Sequence, residues 1–368
     1  MKQQTSSATE TQTKGSKIID YSGKLIYVGI DVHKKDWQVA KVHEGICLGN
    51  HRMGASSVRL IEHLQTHYPG ATFKCVYESC AWGFTLQRQL SAAGMECIVV
   101  HAADVSSSDK EKRRKTDKVD ALKLARHYAS GDIKEIYVPA EDLQRDRNLV
   151  RFRKKLVGDL TRSRNRIKSL LKYQGVDIPA QFDKAHWSRN FMNWLEQLGR
   201  HDAEMGSTLL LMLEEVKLLR QLLLKAEKQL MAMMATEKYR ARFNLLMSVP
   251  GIGRKIATLC VLEIDNIKRF RSFDQLNDFI GLCPDTADSG DTERCRGITS
   301  RRHKQLRANL IEAAWQAIRI DPALLERYQQ LTKTMKGNQA IVRIARKLLR
   351  RMRAVLLSGI CYQKGVIA

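Results

Sequence analysis

Two periods of apolar spacing run along this chain, and the change from one to the other divides it. From Leu25 to about Pro139, short apolar runs alternate with stretches of helical spacing. Leu25 to Ile30 is apolar and β-branched, closes on Asp31, and gives way at once to polar residues. Such a run reads as a buried strand. Asp36–Val42 alternates and reads as its hairpin partner, and Ile46–Met53 supplies a third strand. Ser56–His67 has helical spacing through Val58, Ile61 and Leu64, a serine start and a Pro69-Gly70 stop. Thr72–Glu78 is a strand that again ends in a carboxylate. A helix over Trp82–Ala93 and a short strand over Glu96–Val100 follow.

A loop rich in Ser, Lys and Arg, Asp104–Lys115, then leads into a helix with Thr116 as its N-cap and Asp117 and Asp120 in its first turn. Beyond Glu141 the strand period disappears. Glu141–Tyr173 reads as one long helix with an apolar stripe and many Arg and Lys. Asp202–Thr236 reads as a second, its spacing close to a coiled-coil seam without a strict heptad. Gly175–Gly199 reads as a connector carrying Trp187 and Trp194. An antiparallel helical pair follows, serving either oligomerisation or an arm folded on itself. The last part opens on Val249-Pro250-Gly251-Ile252-Gly253, the turn of a helix-hairpin-helix. Helices over Phe270–Ile280, Arg302–Arg319 and Asn338–Leu357 follow it, with Gly281–Asp291 as a polar loop.

The fold class is therefore α/β plus α. The order βββαβαβ is that of an RNase H-like domain, a three-strand meander continued by parallel strands. The expected divisions are a disordered tail at 1–23, the RNase H-like domain at 24–140, a helical, coiled-coil-like region at 141–240, and a mainly helical C-terminal domain at 241–368.

Charge narrows the function. The 368 residues carry 63 Lys+Arg against 39 Asp+Glu, a formal net charge of +24. An excess that large points to a polyanionic partner, nucleic acid before an anionic membrane. No apolar run approaches the roughly 20 residues that span a bilayer, and residues 1–23 have no apolar core to act as a signal or anchor. The eight cysteines lie scattered without a CxxC pair, which argues against zinc and for reduced thiols in the cytoplasm.

The candidate chemistry lies in four carboxylates. Taken singly, Asp31 ends a strand, and Asp117 and Asp120 are dipole-stabilising residues of a helix start. Taken together with Glu78, they sit on three elements, and the i,i+3 spacing puts Asp117 and Asp120 on one face. Such a set suits hard divalent cations, Mg²⁺ or Mn²⁺ in its place, and phosphoryl transfer on a phosphodiester. In the Pro-Gly-Ile-Gly turn, Gly251 and Gly253 would let backbone N–H groups approach a phosphate, with Arg254 and Lys255 adding charge; a plain interhelical turn is the alternative. His33 and His303 fit surface or phosphate-contacting positions, with assistance in proton transfer as the alternative, Trp37, Trp82 and Trp315 core positions, and Tyr239 and Tyr328 packing positions.

Asp31, Glu78, Asp117 and Asp120 resemble the Asp-Glu-Asp-Asp set of RuvC-like domains. Gly29-Ile30-Asp31-Val32-His33-Lys34 and Thr116-Asp117-Lys118-Val119-Asp120-Ala121 resemble, more closely, the DEDD-type transposases of bacterial insertion sequences, relatives of the Piv-type DNA invertases. Pro250-Gly251-Ile252-Gly253, Gly281-Leu282-Cys283-Pro284, Ser289-Gly290, Arg296-Gly297-Ile298-Thr299 and Leu306-Arg307 resemble the family's C-terminal transposase domain. The resemblance implies a recombinase with Mg²⁺ on the four carboxylates and a nucleophilic serine, matched by Ser289. It also implies DNA contacts around Arg296, Thr299 and Arg307, a non-coding bridge RNA as guide, and a homo-oligomer acting on element ends and target in the nucleoid. One departure stands out: Ser300-Arg301-Arg302-His303-Lys304 replaces the family's usual continuation after Gly-Ile-Thr. A junction-resolvase-like, Mg²⁺-dependent nuclease using only the RuvC-like half, and a non-catalytic nucleic-acid-binding protein, are the competing readings.

Overall fold

The computed structural model describes residues 20–105, 116–182, 187–201, 205–289, 292–300 and 302–365, with backbone alone over 285–289 and 292–296. The expected disordered tail and most of the Asp104–Lys115 loop lie outside the described residues. The chain forms two compact units, divided between Pro139 and Ala140.

The first unit is built on a five-stranded sheet in the order β3-β2-β1-β4-β5. Its strands are β1 (Leu25–Val32), β2 (Asp36–His43), β3 (Ile46–Gly54), β4 (Thr72–Glu78) and β5 (Glu96–Val100). β1 pairs antiparallel with β2 and parallel with β4, and β4 pairs parallel with β5. The meander-then-crossover order expected from the apolar runs is the observed one.

Both faces of the central strands are covered, as parallel strands require. On one face Ile26, Val28, Ile30, Phe73, Cys75 and Tyr77 pack with Leu60 and Leu64 of α1 (Ser57–His67) and Leu86 and Leu90 of α2 (Thr85–Ala92). On the other, Val76 and Val100 pack with Leu124 of α3 (Asp117–Ser130). Ser56 caps α1 by accepting from the Arg59 N–H. α2 starts later than the spacing predicts, because residues 81–84 form a turn. Trp82, expected in the core, lies in that turn and is half exposed; Trp37 is buried.

The second unit is helical apart from one hairpin among the described residues. α4 (Glu141–Tyr173) and α6 (Gly206–Ala235) run antiparallel. Their polar cross-links fix the direction: Arg153 meets Glu227 at 2.7 Å and Arg166 meets Glu215 at 2.6 Å. The Gly175–Gly199 stretch is not all connector. α5 (Arg189–His201) buries Phe191, Met192 and Leu195 against the second half of α4 and the first half of α6, around Ile167, Leu171, Leu209 and Leu213.

The remaining helices are α7 (Glu237–Met247), α8 (Arg254–Ile264), α9 (Phe273–Ile280), α10 (Lys304–Ile320), α11 (Pro322–Thr332) and α12 (Gly337–Ser358). They share one core with the start of α4 and the end of α6. Tyr239 is buried and donates to Asp146, and Tyr328 packs edge-on against Trp315.

Candidate active site and metal centre

Asp31 lies one residue from the end of β1. Ile30 of β1 is in register with Tyr77 of β4, so Asp31 and Glu78 are the next residues along two adjacent parallel strands. Strand alternation puts both on the sheet face that α3 covers. They end where the strands end, the usual edge for a ligand in a sheet with parallel crossovers.

The path of α3 decides what meets Asp31. Gly29 is two residues earlier on the same face, and a Cβ there would lie 2.0 Å from the Ala121 carbonyl oxygen and 2.6 Å from the Ala125 nitrogen. The helix therefore rests on the strand backbone to backbone. Thr116 caps it, its side chain accepting from the Val119 N–H, and Asp117 and Asp120 fall in its first turn.

His33 Nε2 lies 3.1 Å from Asp31 Oδ2 and 3.7 Å from Asp117 Oδ1. One ligand atom from each of Asp31, His33 and Asp117 falls within 4.8 Å of the other two. Burial pushes the Asp31 carboxyl up; His33 counters it, and the like charges of Asp117 and Asp120 push it further up. Glu78 stands at the neighbouring strand tip, outside this three-residue group. Two carboxylates and an imidazole nitrogen gathered so closely, with Asp31 half-buried and the other two exposed, offer ligand atoms to a divalent cation. Beside Asp117 opens a cleft of about 590 Å³, lined by Gln38, Asn50, His51, Arg52, Thr116 and Lys118.

His33 goes beyond the sequence expectation of a surface or phosphate-contacting residue. The legible signal was its i,i+2 spacing from Asp31, which keeps both on one side of an extended chain.

In the second unit, the stretch expected as a polar loop is half of a β-hairpin, β6 (Pro284–Ser289) with β7 (Thr292–Ile298). Ser289 is the last residue of β6 and pairs with Thr292; Gly290 and Asp291 between them lie outside the described residues. Arg296 is on β7. The base of the hairpin is closed by the Thr299 N–H donating to the Cys283 carbonyl at 3.0 Å. Arg307 Nη1 donates to the carbonyls of Thr299 at 2.7 Å and Gly281 at 3.0 Å. Arg307 thus grips the hairpin's base.

The Pro-Gly-Ile-Gly turn divides by residue. Gly251 has φ +78°, and a Cβ there would lie 2.2 Å from the Ala313 carbonyl oxygen of α10. Ile252 is buried. Gly253 is exposed at the N-cap of α8, with nothing near its Cβ position. Arg254 is exposed beside it, and Lys255 lies 3.3 Å from Glu227. His303 caps α10, its Nδ1 accepting from the Leu306 N–H, with Nε2 3.6 Å from Glu263. It is a structural residue, which corrects the phosphate-contact expectation.

Two family models match this chain, one after the other along its length. The profile of a family described as "Transposase", of the DEDD IS110 type, matches residues 28–174, and that of the "Transposase IS116/IS110/IS902 family" matches residues 243–329. The chain belongs to the IS110-type DEDD transposases. A transposase for insertion sequence element IS1533 from Leptospira borgpetersenii is 26% identical over 304 residues, covering 80% of this chain and 85% of its own. A transposase for element IS1328 from Yersinia enterocolitica is 24% identical, over 78% of this chain and 82% of its own. A pilin gene-inverting protein from Moraxella bovis is 22% identical, over 92% of this chain and 98% of its own. In this IS110-type transposase, the mixed α/β sheet with a mostly helical remainder fits an RNase H-like DEDD enzyme. Among the described residues no helix is long and apolar enough to cross a membrane.

Proposed function

We propose that this IS110-type transposase cuts and rejoins DNA at the ends of an insertion sequence and at its target. Asp31, Glu78, Asp117 and Asp120 hold Mg²⁺, or Mn²⁺ in its place, with His33 beside them. The observation that carries this reading is the convergence of Asp31, His33 and Asp117 within 4.8 Å at a strand tip and a helix start. A cation held there would supply charge neutralisation at the phosphodiester. Asp31 and Asp117 orient it; His33 steadies Asp31 by hydrogen bonding.

Ser289 serves as the nucleophile. Its Oγ forms a bond to phosphorus as the ester bond to one deoxyribose oxygen breaks; the Oγ proton passes through solvent to the leaving oxygen, so that the released strand ends in a hydroxyl. Re-attack by a strand hydroxyl reverses the sequence on a new partner and regenerates the serine. The excess positive charge supplies sequence-independent DNA affinity, which falls steeply with salt. Gly253, Arg254, Arg296 and Thr299 are candidate nucleic-acid contacts. A structured bridge RNA as guide and a homo-oligomer acting in the cytoplasm on nucleoid DNA complete the reading.

The test is strand transfer on labelled element ends with Mg²⁺. Asp31→Ala and Asp117→Asn should abolish it, and Ser289→Ala should abolish both transfer and the covalent protein–DNA adduct. Cleavage that persists in Ser289→Ala would replace this reading with the metal-nuclease one.

A further inference from the structure

The first turn of α3 is tied to the sheet by a chain of two side-chain amides. Gln38 stands directly opposite Asp31 in the β1–β2 pairing. It is buried at 5% exposure, and its Nε2 donates to Asn50 Oδ1 at 2.6 Å. Asn50, on β3, donates from Nδ2 to the main-chain carbonyl of Lys118 at 2.8 Å. Lys118 is the residue after Asp117 and two before Asp120.

The direction of this chain is forced. A main-chain carbonyl only accepts, so Asn50 must turn its NH₂ towards Lys118. Its carbonyl oxygen then faces the sheet, where Gln38 supplies the donor. Buried and half-buried amides paired in series hold one geometry, since leaving either partner unmatched is costly. The contact of Gly29 with Ala121 fixes α3 a turn further along. Asn50 fixes the turn that carries the carboxylates themselves.

We propose that Asn50, oriented by Gln38, is a positioning residue for the carboxylate site: it sets Asp117 at coordinating reach of Asp31. This rests on the reading that these carboxylates hold a divalent cation. Both residues also line the cleft beside Asp117, so a direct nucleic-acid contact is the competing role. Metal binding measured without DNA separates the two.

The experiment is titration of the full-length, DNA-free protein with Mn²⁺ by calorimetry, alongside its melting temperature in chelator. Asn50→Ala should weaken Mn²⁺ binding about ten-fold, the size usual for loss of a group that orients a ligand. Gln38→Met, which keeps the volume and removes the donor, should shift it the same way by less, and it stands in should Asn50→Ala fail to fold. Asp117→Asn should weaken binding more than either. Unchanged Mn²⁺ affinity in both amide variants, with Asp117→Asn weakened, overturns the positioning role and leaves the metal reading standing. A lowered melting temperature with unchanged Mn²⁺ affinity marks a purely structural strut and also overturns it. If Asp117→Asn binds Mn²⁺ as the unaltered protein does, the metal reading falls, and the positioning role falls with it.

Discussion

Gly29 on β1 lies directly under the Ala121 carbonyl of α3, so close that a Cβ at Gly29 would sit 2.0 Å from that oxygen. The two residues bring the helix carrying Asp117 and Asp120 down onto the strand carrying Asp31. Gly29→Ala must lift or tilt α3, because the obstructing atom is backbone and has no rotamer to escape into. Overpacking of this kind costs about 1–3 kcal/mol. The expected outcome is a lower denaturation midpoint of the first unit, together with Mn²⁺ binding weakened more than the stability loss alone accounts for. Normal Mn²⁺ affinity in a folded Gly29→Ala protein would show that the cluster does not depend on this contact.

The legible part of the fold was the part built from one strong signal at a time. β1, β4 and β5 are apolar runs with polar breaks and β2 alternates, while β3 follows as the next arm of the meander. What escaped had a weak or split signal. α5 follows a connector, and its Phe191, Met192 and Leu195 are too few to stand out beside two much longer neighbours. β6 reads Pro-Asp-Thr-Ala-Asp-Ser, without the apolar alternation that marks a strand. α11 starts on an Asp321 cap with Pro322 in its first turn, a short local signal between two longer helices. At the site, the strand-end and helix-start places of the four carboxylates are legible in the sequence, and the structure gathers two of them, Asp31 and Asp117, with His33. His33 has a legible signal in its i,i+2 spacing from Asp31, whereas the Gly29 contact has none, because it depends on how α3 lies across the sheet.

Glu263 on α8 is a buried carboxylate held by several cations. Arg151 grips it with two hydrogen bonds at 2.9 and 3.0 Å, Arg147 Nε lies 3.7 Å away, and His303 Nε2 lies 3.6 Å away. Burial alone would push its carboxyl up; the hydrogen bonds from His303 and Arg151 and the two arginine charges outweigh this and hold it at about 2, against 4.5 when unfolded. A depressed carboxyl contributes stability above the unfolded value and loses it as pH falls towards the folded one. The second unit should therefore lose roughly 3 kcal/mol between pH 4.5 and 2 through this residue. Chemical denaturation across that range checks it: Glu263→Gln should be less stable at pH 7 and show a shallower acid slope. Parallel slopes for the two proteins would remove Glu263 from the account.

Arg307 was expected near DNA and is found bonded to the Gly281 and Thr299 carbonyls. Hydrogen bonds from a charged donor contribute about 1.5–3 kcal/mol each, so Arg307→Ala should loosen the hairpin from its base. Hydrogen exchange of the amides over 284–298 should quicken in the DNA-free protein. Strand transfer should fall with it, while Mn²⁺ binding stays unchanged. Unaltered exchange together with weaker DNA binding would instead make Arg307 a direct contact.

The two glycines of the Pro-Gly-Ile-Gly turn should separate when each is replaced by alanine. Gly251 combines a left-handed backbone, φ +78°, with a Cβ position 2.2 Å from the Ala313 carbonyl. Alanine there strains the turn and clashes with α10, and both act on the shared core. Gly251→Ala should lower the stability of the second unit by more than about 1 kcal/mol. Gly253 has φ −84°, an open Cβ position and no side-chain cap at the start of α8. Alanine is compatible with that backbone, so Gly253→Ala should leave stability nearly unchanged. A phosphate reaching the α8 N-terminus would meet the new methyl group, so DNA affinity at moderate salt should fall several-fold in Gly253→Ala alone. If DNA affinity is the same in Gly253→Ala as in the unaltered protein, the turn is an interhelical joint only, and the phosphate contacts of this unit lie elsewhere.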